Sequence, residues 1–171
     1  MAEKLPPANR EYESWVIGEL VQSGDLRRDT LSPTDAGLLA ATGITREDFH
    51  DDRARATWDA CARIVARGEN PTLVTLRASL PEHLHPYLEE CIRVAPGPGL
   101  AIAAARELHR LAYCRSLILA GGAIARIAYE PGELTREQIY SRCAQVLDNL
   151  DPGPAKAETP RNTLYRGLDI D

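Results

Sequence analysis

The chain has 171 residues, 44% of them apolar and 26% charged, with a net charge of −5, which is ample material for one ordinary folded domain. That acidic balance works against general attraction to nucleic acid or anionic lipid, so a protein partner is expected and direct DNA binding is not. No apolar leader opens the sequence and no stretch approaches the roughly 18 apolar residues of a membrane span, so a soluble, cytoplasmic protein is expected.

Aromatics make up only 5% of the chain, Ala and Leu abound, and β-branched residues are scattered, which favours an all-α fold. Lysine occurs only at Lys4 and Lys156, and the arginines that replace it suit bidentate bridging of carboxylates on helix surfaces and at interfaces. Cys61, Cys91, Cys114 and Cys143 form no CxxC pair and read as free thiols buried in helices.

After a flexible segment over 1–8, the first helix opens in "REYESWVIGELVQSG" with Asn9 as cap, Tyr12, Trp15, Val16 and Leu20 on one face, and Gly24 as stop. A polar, breaker-rich stretch leads to "AGLLAATG", read as one or two helical turns begun near Ser32 or Asp35. Thr45 followed by Asp48 is a cap signal, and Asp51 and Asp52 open a longer helix that Gly68 closes. Acid at its start and Arg67 at its end both suit the helix dipole. Trp58, Cys61, Ala62 and Val65 form its expected inward stripe. "NPTLVTLRASLP" reads as a short helix capped by Asn70 or Thr72, with Leu73, Leu76 and Leu80 as its ridge and Pro81 as its end. A strand there would have no partner to satisfy its backbone. "EHLHPYLEECIRVA" continues helically with Leu84, Leu88, Cys91 and Ile92 inward and Pro86 in the first turn.

The "PGPG" at 96–99 divides a head, 9–99, from a long helix and hairpin, 100–150. From Leu100 to Tyr129 the helical pattern runs for about 30 residues, roughly 45 Å, longer than one small core needs. Gly121 and Gly122 inside it imply a bend or a close helix approach. Thr135 and Gln138 make a capping box for a last helix ending near Leu150. Its stripe of Ile139, Cys143, Val146, Leu147 and Leu150 could pack antiparallel on Leu117, Ile118, Ile124 and Ala128. Residues 151–171, Pro-rich and polar, read as a linker or disordered tail. The fold class expected is therefore all-α: a bundle of about six helices followed by a two-helix antiparallel hairpin and a flexible tail.

Chemistry is hard to find in this pattern. "GPGL" lacks the Lys-Ser/Thr partner and preceding strand of a phosphate loop. His83 and His85 diverge around a helix, and His50 and His109 read as isolated, so no metal site is expected. Cys114 and His109, five apart, do not stack into a nucleophilic pair. Trp15 and Trp58 lie on apolar stripes and read as core residues. No catalytic residue, cofactor site or metal site is assigned; the pattern is that of an interaction module.

Several positions fall in a familiar order: Glu13 with "WVIG" at 15–18, Asp48 and Phe49 before a helix carrying Trp58 and Ile64, then Gly68, Pro71, Thr72, Thr75 and Leu76. Tyr87 with Leu88, and Arg115 before Leu117 and Ile118, extend it. Over about 6–150 the chain resembles the amino-terminal domain of the DnaB-type replicative DNA helicases. It departs from that pattern in about ten extra residues around "RRDTLSPTDAG", in a Tyr and a Lys replaced near Ala104 and Leu111, and in having no RecA-like motor with a Walker-type Lys.

The resemblance implies a helical head with a hairpin. In the family, hairpins pair between subunits to form a collar on the helicase ring, where primase and loader proteins dock. It implies a module that is not itself an enzyme, whose parent would be an ATP-dependent helicase. It implies self-pairing through Leu117, Ile118, Gly121, Gly122, Ile124, Ile139, Cys143 and Leu147, with the alternative that these residues only hold the hairpin together. A stand-alone accessory protein that binds or modulates a helicase or primase is the other reading, and a helical enzyme or regulator of another kind is a third.

Overall fold

The computed structural model describes residues 6–26 and 42–150. Among these there are six α-helices and no strand. Helix α1 (Arg10–Leu26) begins where Asn9 Oδ1 accepts the Tyr12 amide at 3.2 Å. It buries Glu13, Val16, Ile17 and Val21, and it passes through Gly24 without stopping. Most of the expected short helix near Ser32 or Asp35, and the extra residues around it, lie outside the described residues, as do the first five residues and the tail.

The Thr45–Asp48 signal produces a single 3-10 turn (Arg46–Asp48), in which the Thr45 amide donates to Asp48 Oδ2 at 2.6 Å. Asp51 then caps α2 (Asp52–Ala66) by accepting the Arg53 amide, and Gly68 ends it at a φ of 76°, a value glycine adopts without cost. The buried face of α2 is Ala54, Thr57, Ala60, Cys61 and Ile64, with Trp58 half-buried. Ala62 and Val65, expected on that face, point to solvent. From Cys61 the pattern can continue three or four residues on, and the fold takes the Ile64 branch, which is the more apolar.

Helix α3 (Leu73–Ser79) is a helix as expected, capped by Thr72 in reciprocal bonds with Thr75 at 3.2 and 2.9 Å. A second 3-10 turn (Glu82–Leu84) leads into α4 (His85–Val94), with Pro86 in its first turn and Tyr87, Leu88 and Cys91 buried. His85 Nε2 donates towards the carbonyls of Arg77 and Leu80 at 3.1 and 3.2 Å, giving partners to the exposed end of α3.

α1 runs through the middle of the head, packed on α4 along one side and on the long fifth helix along another. At Gly18 a Cβ would stand 2.0 Å from the Cys91 carbonyl oxygen and 2.9 Å from the Ala95 Cβ. Only glycine lets the two backbones come this close. One turn later Gln22 Nε2 donates to the Ile92 carbonyl at 2.8 Å. Two apolar clusters result. Phe49, Ile17, Tyr87 and Leu108 centre the first; Ile64, Leu76, Leu80 and Leu88 centre the second.

Helix α5 (Pro98–Tyr129) is one uninterrupted helix of 32 residues, about 48 Å long. Its first half belongs to the head, where Ala101, Ala104, Ala105 and Leu108 are buried against the first cluster. Its second half pairs with α6 (Arg136–Asp148), which Thr135 and Gln138 open in the expected capping box at 2.9 and 3.4 Å. No residue of α6 is buried. Gly121 and Gly122 produce no break in the helix, and a Cβ on either would meet nothing within 4 Å. Among the described residues, the close helix approach expected there is absent.

Candidate protein-interaction surface

The hairpin is fixed to the head by a group of charges at the middle of α5. Glu13, fully buried on α1, accepts the amides of His50 and Asp51 at 2.8 and 3.0 Å, so a side chain of α1 holds the start of α2. Asp48, also buried, accepts from Thr45 through one oxygen and from His109 Nδ1 through the other at 2.9 Å. Arg115 donates to the carbonyls of Pro7, Asp48 and Glu47 at 2.9, 2.7 and 3.1 Å. Burial pulls the Arg115 guanidinium below its ordinary value, and the charge of Glu13 opposes this.

His109 was expected to be isolated, and sequence distance hid the contact: its partner lies 61 residues earlier in the chain. These carboxylates are occupied, Glu13 by two backbone amides and Asp48 by the Thr45 amide and the His109 ring, so they position helices. Among the described residues no group of three His, Cys, Asp or Glu side chains could hold a metal ion. All four cysteines are free. Cys61 and Cys91 are buried and Cys114 and Cys143 half-buried, and burial pushes the Cys61 thiol up to about 12, far from a reactive thiolate.

Beyond Arg115 the apolar residues change role. Leu117, Ile118 and Leu147 are exposed, with Ile118 at 58% and Leu147 at 51%. The hairpin therefore carries large apolar residues that the other described residues do not cover. Gly121 and Gly122 are exposed as well, whereas Ile124, Ile139 and Cys143 are half-buried. Ala128 is exposed too, so at Leu117, Ile118 and Ala128 the seam that the helical pattern suggested is not a buried one.

Leu119 at 75% and Tyr140 at 77% are exposed residues that the sequence reading missed. Each adjoins an assigned residue, Ile118 or Ile139, and a continuous run such as "SLILAGG" does not say which faces are covered.

By length and composition α5 could cross a bilayer, with a mean hydropathy of 1.4 over its most apolar window, only 6% of it buried. This corrects the expectation that no stretch comes near that length. The charge group nonetheless ties the helix to the head at Arg115, leaving roughly 21 Å of helix beyond it, short of a hydrocarbon core of about 30 Å. Arg126 also lies within that remainder.

Where hairpin meets head there is a cleft of about 460 Å³, walled by Thr45, Glu47 and Asp48 of the turn, by His109 and Tyr113 of α5, and by Leu150 just past α6.

A helical head joined by one shared helix to an exposed hairpin is an architecture with a known counterpart. The fold is similar to that of the N-terminal domain of DnaB helicase from Mycobacterium tuberculosis, with a TM-score of 0.71 over 85% of this chain and 100% of that one. Sequence identity is 22%, so the likeness is one of fold. No protein-family model matches the chain, and no curated protein matches it by sequence.

Proposed function

We propose that this chain is a non-catalytic collar module of DNA replication that associates with copies of itself through its hairpin and offers the assembled collar to a primase or a helicase loader. The observation that carries the reading is the exposed apolar surface of the hairpin, Leu117, Ile118 and Leu147, on a fold like that of a DnaB N-terminal domain. Exposed large apolar side chains in a contiguous patch mark interaction sites. The open space around Gly121 and Gly122 adds to this, because glycines with no close neighbour among the described residues give a second backbone room to approach. Ile124, Ile139 and Cys143, being half-buried, would flank the contact and support the hairpin. Under this reading the protein works in the cytoplasm, and the acidic net charge keeps the domain itself off DNA.

Sedimentation velocity tests the reading. The wild-type chain should associate with concentration, and Ile118→Asp or Leu147→Asp should weaken association at least tenfold with the helical circular dichroism unchanged. A wild-type chain that stays monomeric to millimolar concentration would refute it. A stand-alone accessory protein that modulates a helicase uses the same surface and differs only in its partner. Pull-down of the host primase and helicase with wild-type and Ile118→Asp chains separates the two.

A further inference from the structure

We draw no further inference here: the strongest candidate, the cleft between head and hairpin walled by Glu47, His109 and Tyr113, carries nothing because its buried carboxylate, Asp48, already has both oxygens bonded and nothing in the structure shows what covers it.

Discussion

His109 Nδ1 lies 2.9 Å from Asp48 Oδ1, joining the long fifth helix to a turn 61 residues earlier in the chain. The other oxygen of Asp48 is already taken by the Thr45 amide, so one buried carboxylate serves a local turn and a long-range contact together. Asp48→Ala removes both acceptors and should cost about 2–4 kcal/mol, whereas His109→Ala removes one partner and should cost about 1 kcal/mol. Urea denaturation of the two variants measures the difference; equal losses would mean that the turn contributes nothing.

Gly18→Ala sets two effects of opposite sign against each other. A helix interior favours Ala over Gly by about 1 kcal/mol. Against this, the new Cβ would stand 2.0 Å from the Cys91 carbonyl oxygen, and forcing atoms into a packed contact costs typically 1–3 kcal/mol. Because the obstacle is backbone and cannot rotate away, the clash wins, and a lower thermal midpoint is expected. A stabilised Gly18→Ala variant would show that α1 and α4 are free to separate.

Gly121→Ala and Gly122→Ala meet no neighbour within 4 Å, so the propensity gain stands alone in the isolated chain. Each should stabilise the monomer by about 0.5–1 kcal/mol. If the hairpin pairs through these glycines, the same variants should associate more weakly, so stability and association would move in opposite directions in calorimetry and sedimentation. Stabilisation with unchanged association would exclude the glycines from the contact.

The carboxyl of Asp51 sits below its ordinary value of 3.8, chiefly because the Arg53 side chain bonds to it, with burial opposing. A depressed carboxyl stabilises the fold above its unfolded-state value and loses that contribution as the pH falls through the lower folded value. Stability should therefore decline as the pH drops below about 4, and Arg53→Ala should flatten the decline. Urea midpoints at a series of acid pH values give the comparison; identical slopes would remove Arg53 as the cause.

The all-α class, the Thr135 cap and Thr72 as one of two candidate caps were legible because they rest on local chemistry, a side-chain oxygen beside a free amide, whereas the packing of Ala101, Ala104, Ala105 and Leu108 into the head, past "PGPG", was not. Of the residues assigned to the interaction surface, Leu117, Ile118 and Leu147 are exposed as an intermolecular role requires, but periodicity alone could not separate them from Ile124 and Ile139, which share the stripe and are half-buried. Ala62 and Val65 were misplaced for the same reason, since three- and four-residue steps are equally helical. The roles of Glu13, His109 and Arg115 were not legible from spacing, because their partners lie on other elements and become neighbours only when the head is assembled.

Because α5 runs unbroken from the alanines packed in the head to Tyr129 at the hairpin tip, it acts as a stiff lever. A force on the tip is therefore carried to the bonds around Arg115, 14 residues or roughly 21 Å away along the helix.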